Sequence, residues 1–271
     1  MFKRAWIRIL ETTIASTPDF RGKGWLFQFP ARPCIDEPIR TAYGVRLKCR
    51  LYDYTNRASV FGHYGHDVAN VVASIPQGSV FVDIGGNAGL FSSIAAQTLG
   101  ADGTIIAFEP QPELCQLLAE NTSLNGPTPV LLFNLAVASQ ARQMTLSPYN
   151  ARHSGLAYLG DTQNGRLAWA ANIDEDLPIV EEVIAGRPTT IKIDVEGAEL
   201  EALKGISKLL AAPATTTVII EIDPDHLARF SASPDQVYTL MHDAGFMPTS
   251  EANRQHTHYD EIFRRSQPSP A

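Results

Sequence analysis

The sequence predicts an α/β fold in which a mostly parallel sheet carries helices on both faces. From residue 79 onward, apolar runs of strand length alternate with segments of helical periodicity, which is typical of parallel strands joined by crossover helices. The first apolar strand, Val80-Phe81-Val82, runs through Asp83 into a glycine turn at 85–89 and then into an apolar helix. The chain has 271 residues, of which 44% are hydrophobic, so it can bury a full core.

An N-terminal extension over residues 1–60 is predicted ahead of the sheet. It begins with an amphipathic helix that carries Trp6, Ile9 and Leu10 on one side. Residues 38–53 predict a β-hairpin, because two strand-like arms flank Tyr43-Gly44. A helix over 64–75 then leads into a single large domain over 61–265, and a tail over 266–271 should be disordered.

Five parallel strands are predicted in this domain, followed by an antiparallel pair. The parallel strands cover 80–82, 103–108, 130–133, 189–194 and 217–222, and the pair lies near 246–250 and 259–264. Helices are predicted from Pro112, over 200–210 and over 234–244. The polar segment 139–176 is too long for a plain connection, so we expect hairpins or a substrate-selecting loop there.

Each of the five parallel strands ends in a polar side chain. These side chains are Asp83, Glu109, Asn134, Asp194 and Glu221. Because ligands of open parallel sheets bind beyond the carboxyl ends of the strands, we expect one polar crevice. A carboxylate after the second strand holds a nucleoside ribose in such folds, which assigns Glu109. Asp83 would repel a diphosphate and suits a cation or an amine.

Five motifs resemble the FkbM family of S-adenosylmethionine-dependent methyltransferases. They are D-I-G-G-N-A-G-L-F-S (83–92), F-E-P-Q-P (108–112), N-x-S-L-N (121–125), N-L-A-V (134–137) and I-K-I-D-V-E-G-A-E-L-E-A-L-K-G (191–205). The resemblance implies a Rossmann-like class I methyltransferase fold, with a seven-stranded, mostly parallel sheet and an antiparallel C-terminal strand. It implies methyl transfer from S-adenosylmethionine, usually to a hydroxyl of a sugar, glycan, glycolipid or related natural product.

The resemblance also implies a cofactor site. The positions matched to the methionine-binding loop are Asp83, Gly85, Asn87 and Gly89. Glu109 matches the ribose ligand, and Asn134 and Ala136 match the adenine contacts. Family members often have an aromatic–Glu pair shortly before the first sheet strand, and this chain has Tyr64-Gly65-His66-Asp67 in that place. The acid of that pair is therefore replaced by either His66 or Asp67.

Methyl transfer to an alcohol needs a proton acceptor near the reacting methyl group. Asp194 is the first candidate for base or orienting group. Lys192 should project to the same face, where it either holds Asp194 ionised or contacts the substrate. Glu196, Glu221 and His226 complete the catalytic candidates, with His226 either a base or a loop histidine.

A metal ion and two other protein classes stay open. Asp194, Glu196, Glu221 and Asp223 offer the oxygen ligands that Mg²⁺ prefers. A nicotinamide-dependent oxidoreductase is one alternative, although residues 83–89 lack its G-x-G-x-x-G. A non-catalytic cofactor-binding protein of the same fold is the other.

Bulk properties exclude several partners. The formal net charge of −7 disfavours nucleic acid, so the expected partner is a small-molecule or carbohydrate hydroxyl acceptor. No apolar run reaches the roughly 18 residues of a membrane span. The three cysteines, Cys34, Cys49 and Cys115, are widely spaced and odd in number, which predicts neither a disulfide framework nor a zinc site. We expect a cytoplasmic protein.

Overall fold

A computed structural model describes residues 7–12, 14, 35–49, 53–147, 165–250 and 257–266. Its strands are β1 (Ile35–Arg40), β2 (Arg46–Cys49), β3 (Val80–Ile84), β4 (Thr104–Phe108), β5 (Val130–Phe133), β6 (Ala136–Val137), β7 (Arg142–Leu146), β8 (Arg166–Ala171), β9 (Thr189–Ile193), β10 (Thr215–Ile222), β11 (Phe246–Pro248) and β12 (Tyr259–Arg265). Its helices are α1 (Tyr54–Phe61), α2 (His66–Ala73), α3 (Leu90–Thr98), α4 (Pro112–Ser123), α5 (Ile173–Asp176), α6 (Pro178–Ile184), α7 (Glu199–Lys204), α8 (Ser207–Ala211), α9 (Pro224–Arg229) and α10 (Pro234–Asp243). Residues 7–12 are helical as well.

Seven strands form one sheet in the order β11-β12-β10-β9-β3-β4-β5. The strands from β10 to β5 pair in parallel, whereas β12 pairs antiparallel with both of its neighbours. This confirms the predicted sheet and its antiparallel C-terminal strand. Because β4 and β5 lie on one side of β3 and the later strands on the other, the strand order reverses next to β3. A ligand crevice opens at such a reversal.

Helices cover both faces of this sheet, as predicted. Val80 and Val82 of β3 join one hydrophobic cluster with α5 to α10, and Phe81 between them joins a second cluster with α2 to α4. Alternate side chains of a strand point to opposite faces, so a strand covered on both sides needs a continuous apolar run. Each such side chain contributes about 1.5–3 kcal/mol on full burial.

The N-terminal extension contains the predicted hairpin, since β1 and β2 pair antiparallel. In the helix at 7–12, Leu10 is buried but Ile9 is 54% exposed, so the predicted apolar side is wrong at Ile9. Trp6 lies outside the described residues. Helix α1 is not predicted from the sequence. It begins where the Asp53 side chain accepts the amide of Asn56.

The long polar segment supplies strands at both of its ends. β7 and β8 pair antiparallel, and β6 pairs with β8 in a three-stranded sheet. Residues 148–164, where a substrate-selecting loop is expected, lie outside the described residues, as does the tail from 267 to 271. In the part of the chain that the structure describes, no helix has the length and apolar character to cross a membrane.

Candidate active site

A cavity of about 650 Å³ lies at the carboxyl ends of β3, β4, β9 and β10. This volume is typical of a small-molecule site. Two of the five strand-end side chains, Asp83 and Asn134, do not line it, and Glu109, Asp194 and Glu221 do. The predicted crevice therefore exists, with a smaller set of polar groups than the sequence suggests.

The glycine loop forms one wall of the cavity through its backbone. Gly85 has a φ of 83°, and a Cβ there would collide with the carbonyl oxygen of Asp194. Asn87 has a φ of 48° and accepts the amide of Ala88 at 2.7 Å, a local bond that suits this residue to left-handed backbone. Gly85 and Asn87 line the cavity, whereas Gly89 packs its backbone against α4.

Asp83 lies beneath this loop and is fully buried. Its Oδ2 accepts the hydroxyl of Ser92 at 2.6 Å, and its Oδ1 lies 3.5 Å from Nζ of Lys192. The sequence predicts a cation or an amine as the partner of Asp83. In the structure this carboxylate instead faces protein groups under the loop.

Lys192 joins Asp83 to Asp194. Its Nζ lies 3.2 Å from Asp194 Oδ2 and donates to the carbonyl oxygen of Gly85 at 3.2 Å. Burial lowers the pKa of Lys192, but the charges of Asp194 and Asp83 outweigh burial and raise it above its ordinary value. Lys192 therefore stays charged, and it lies behind the cavity wall.

Tyr64 holds the same carboxylate from the other side. Its hydroxyl donates to Asp194 Oδ2 at 2.6 Å, and its backbone carbonyl accepts the hydroxyl of Tyr43. Burial raises the pKa of Asp194, yet the charge of Lys192 and the Tyr64 hydrogen bond together lower it below the ordinary value. Asp194 is therefore ionised near neutral pH.

Glu109 is 4% exposed at the opposite end of the cavity. Its Oε2 accepts the amide of Asn87 at 2.9 Å and its Oε1 accepts that of Gln111 at 2.8 Å. Burial raises the pKa of Glu109 to about 7, although both amide hydrogen bonds oppose the rise. Asn134 is exposed and donates to the backbone carbonyl of Glu109, so it supports this residue and does not line the cavity, whereas Ala136 does.

The long motif at 191–205 forms β9, a tight loop and α7. Glu196 has a φ of 57° and Gly197 a φ of 108°, where a Cβ would collide with the carbonyl oxygen of His226. Oε1 of Glu199 accepts the amides of Val195 at 3.2 Å and Gly197 at 3.0 Å. These bonds hold Glu196 in a left-handed conformation that points to function, since such strain persists at active sites.

Glu196 and His226 form a close pair in the cavity. Oε2 of Glu196 lies 3.0 Å from Nδ1 of His226, without the alignment of a hydrogen bond. Burial and the charges of Asp194 and Glu199 raise the pKa of Glu196 to about 9. Burial also lowers the pKa of His226, against the charge of Asp223. Near neutral pH, Glu196 is therefore protonated and His226 is uncharged.

Glu221 completes this end of the cavity. Burial, followed by the charges of Asp194 and Glu196, raises its pKa well above the ordinary value. His258, a half-exposed histidine just before β12, lies 3.4 Å from Glu221 Oε1 and 3.1 Å from Asp223 Oδ2. Its place at the site follows from the antiparallel pairing of β12 with β10, which no local motif signals.

The group best placed for a metal ion differs from the predicted one. Among the described residues, Glu196, Glu221 and His226 place ligand atoms within 4.8 Å of one another. The predicted set also contained Asp194 and Asp223, and it contained no imidazole. Mg²⁺ prefers an all-oxygen shell, whereas imidazole suits transition metals, so this donor set does not support Mg²⁺.

Five described cavity residues precede the segment that carries the motifs: Tyr54, Thr55, Ala58, His63 and Tyr64. Tyr64 and His63 line the cavity, whereas His66 and Asp67 of the same segment are exposed. The side chain that reaches Asp194 is therefore the aromatic one, and neither candidate acid lines the cavity. The sequence signal for this role is the aromatic position of the aromatic–Glu pair, which Tyr64 retains.

Fold and cavity together describe an α/β protein with a small-molecule site, and comparison with known proteins identifies its family. Residues 83–248 match the family profile of the methyltransferase FkbM domain. The chain is 27% identical over 216 residues to methyltransferase sdnD of Sordaria araneosa, covering 69% of this chain and 79% of sdnD. It is 29% identical over 143 residues to hexuronic acid methyltransferase AglP of Haloferax volcanii, covering 53% of this chain and 55% of AglP.

Comparison with solved structures gives distant matches. A methyltransferase from Aquifex aeolicus that depends on S-adenosylmethionine aligns with a TM-score of 0.41 and 14% identity, over 78% of this chain and 91% of that one. The family match spans more than half of the sequence, so the chain belongs to the FkbM methyltransferase family. It is an S-adenosylmethionine-dependent methyltransferase, which confirms the predicted family and enzyme class.

Proposed function

We propose that the cavity binds S-adenosylmethionine and directs its methyl group to a hydroxyl of a sugar, glycan, glycolipid or related natural product. The observation that carries this proposal is the division of the cavity wall. Apolar side chains and Glu109 form the end near β4, whereas Asp194, Glu196 and His226 lie at the end near β9 and β10. The glycine loop after β3 lies between the two ends.

The β4 end fits the nucleoside half of the cofactor. Glu109 keeps free lone pairs beside its two amide bonds, and these suit ribose hydroxyls. Its neighbours offer an apolar wall to a flat base: Phe108, Leu135, Ala136 and Val137. When bound, S-adenosylmethionine supplies an electrophilic methyl group on a sulfonium. Gly85 and Asn87 present backbone there, which permits close approach.

The role of Asp83 in this site is indirect. The carboxylate is fully buried and bonded to Ser92, so it supports the loop from below. Asn134 has a similar role for Glu109. We assign both as positioning residues, and Gly89 allows the loop to pack closely on α4.

His226 is the proton acceptor that we assign. A general base works best when its pKa lies near the operating pH, and it must be unprotonated. Asp194 is ionised but its pKa is low, so it is a weak base that suits orienting the acceptor hydroxyl. His226 lines the cavity and is uncharged near neutral pH, with Glu196 and Asp223 beside it.

The acceptor best suited to this wall is a neutral hydroxyl compound. Among the described lining residues there is no lysine or arginine, while Asp194 and Asp223 both have lowered pKa values. An acceptor carboxylate would meet like charge without a cationic partner. The name of AglP supports a sugar acceptor, and the charge of this cavity favours an uncharged one.

Transfer of a labelled methyl group from S-adenosylmethionine tests the proposal. The acceptors are methyl glycosides of a neutral hexose and of the matching hexuronic acid, each with EDTA and with Mg²⁺. We expect transfer to the neutral glycoside as a methyl ether that resists mild base, at the same rate with either addition. Transfer only to the acid, a base-labile ester, or no transfer to either sugar would contradict the assignment.

Two matched histidine variants test the base. His226→Gln should lower kcat by about 10²–10⁴-fold and leave the affinity for S-adenosylhomocysteine intact. In the wild type, kcat should rise with pH as His226 loses its proton below the ordinary histidine range, and then stay flat. His242→Gln, at an exposed position of α10, should change neither quantity. A variant at 226 with the wild-type pH profile would exclude this base.

A further inference from the structure

The N-x-S-L-N motif binds the N-terminal hairpin. Oδ1 of Asn121, on α4, accepts the amide of Lys48 at 2.8 Å, and its Nδ2 donates to the Lys48 carbonyl at 3.1 Å. Asn125 accepts and donates in the same way at Arg46, with both distances 2.8 Å. Alternate residues of a strand point their backbone groups to the same edge. The side-chain amides of Asn121 and Asn125 therefore cover the edge of β2 as a neighbouring strand would.

Asn121 makes one contact that Asn125 does not make. Its Nδ2 also donates to the carbonyl oxygen of Ala88 at 2.7 Å, in the middle of the glycine loop. Asn121 is fully buried, and both of its amide protons and its oxygen are bonded. The side chain therefore joins the hairpin directly to the loop.

The loop transmits this position to the cavity. Asn87, next to Ala88, lines the cavity, and its amide donates to Glu109 Oε2 at 2.9 Å. The Asn87 side chain is bonded to the amide of Ala88 at 2.7 Å. A shift of Ala88 would therefore move the backbone of Asn87 and break its contact with Glu109.

We propose that Asn121 is a positioning residue for the cofactor, and that the hairpin at 35–49 is part of the cofactor site rather than an appended segment. Asn121 fixes the loop at 85–89 against β2, so that Asn87 and Glu109 keep the spacing the cofactor needs. This inference rests on the assignment of the cavity to S-adenosylmethionine.

The same substitution at both asparagines isolates the loop contact. Aspartate at either position still accepts the strand amide but cannot donate. Asn121→Asp should raise the Kd of S-adenosylhomocysteine and the KM of S-adenosylmethionine about tenfold, the equivalent of one lost hydrogen bond, with little change in kcat. Asn125→Asp, which loses only hairpin and helix contacts, should stay within about twofold of the wild type. Titration calorimetry below the Tm of each variant measures the Kd, and steady-state kinetics measures KM and kcat.

Hydrogen exchange on the wild type tests the same link if Asn121→Asp fails to fold. S-adenosylhomocysteine should slow exchange of the Lys48 amide, which Asn121 holds, more than that of the Arg46 amide, which Asn125 holds. Equal affinity in Asn121→Asp and the wild type, or equal slowing at both amides, would overturn the inference alone. A wild type that does not bind S-adenosylhomocysteine would overturn the cavity assignment with it.

Discussion

Replacing Lys192 with methionine should destabilise the protein strongly. Lys192 is 3% exposed and lies between Asp83, which is fully buried, and Asp194, which is 11% exposed. Methionine fills a similar volume without the charge, so the variant leaves two buried carboxylates without their cationic partner. The variant also lacks the hydrogen bond from Lys192 Nζ to the carbonyl of Gly85 and the contact of Nζ with the Phe91 ring, whose centre lies 5.3 Å away.

The size of the effect follows from the burial of this group. Removing one partner of a buried ion pair costs about 3–5 kcal/mol, because the remaining charge is left uncompensated. Each kcal/mol lowers the Tm of a domain near this size by about 2–4 °C. The free energy of unfolding of Lys192→Met should therefore fall by that amount, with a Tm roughly 6–20 °C lower.

The pH dependence has a definite sign. In the wild type, the lowered pKa of Asp194 contributes stability above its unfolded value, and this stability is lost as pH falls through the folded value. In the variant, burial without the opposing charge of Lys192 raises the pKa of Asp194. The deficit of Lys192→Met should therefore be largest near pH 7 and shrink as pH falls toward the unfolded carboxyl value of about 4.

Urea unfolding at pH 7.5 and pH 5 measures both quantities. The control is Lys204→Met, which removes a half-exposed lysine whose partner is Glu201 on the same helix. That change should cost no more than about 0.5 kcal/mol. A deficit of Lys192→Met below about 1 kcal/mol, or one equal at both pH values, would refute the role of the buried network.

Three other variants probe the site. Tyr64→Phe should lower kcat about tenfold or more, because it removes the hydrogen bond to the charged Asp194. Tyr43→Phe, which removes only a bond to the Tyr64 carbonyl, should lower kcat less. Equal effects of the two variants in steady-state kinetics would contradict this. Gly85→Ala should abolish titratable binding of S-adenosylhomocysteine, whereas Gly78→Ala, at a φ of 77° with open space, should only lose stability. Glu196→Gln should flatten the dependence of the free energy of unfolding on pH. The wild type keeps a proton on Glu196 up to about pH 9, so it loses stability as pH rises from the pKa of unfolded glutamate toward 9. Urea unfolding profiles that stay parallel for the two proteins would oppose this.

The sheet was predictable because its strands are short apolar runs separated by turn residues. Val80 to Ile84 is buried without exception, and such a run has few alternative structures in a parallel sheet. Two polar residues of the cavity, Glu109 and Asp194, were predictable for the same reason, since each directly follows a strand. Helix α1 was missed because its mean hydropathy is low and its cap, Asp53, resembles a turn residue.

Roles within the site depend on tertiary contacts that a strand-end rule does not capture. Both Asp83 and Asp194 are predicted strand-end carboxylates, yet Asp83 lies inside β3 opposite Lys192, where Lys192 and Ser92 bind it away from the cavity. Tyr64 reaches Asp194 from 130 residues away in the sequence. The N-x-S-L-N motif is visible in the sequence, but its function depends on the position of β2, which periodicity does not give.

Titration calorimetry with S-adenosylhomocysteine, with NAD as the control ligand and Glu109→Ala as the control variant, tests the central claim most directly. The wild type should bind S-adenosylhomocysteine at one site and show no heat with NAD. Glu109→Ala should lose that binding while unfolding at a Tm close to the wild type. Binding of NAD alone, or undiminished affinity for S-adenosylhomocysteine in Glu109→Ala, would contradict the assignment of the cavity to S-adenosylmethionine.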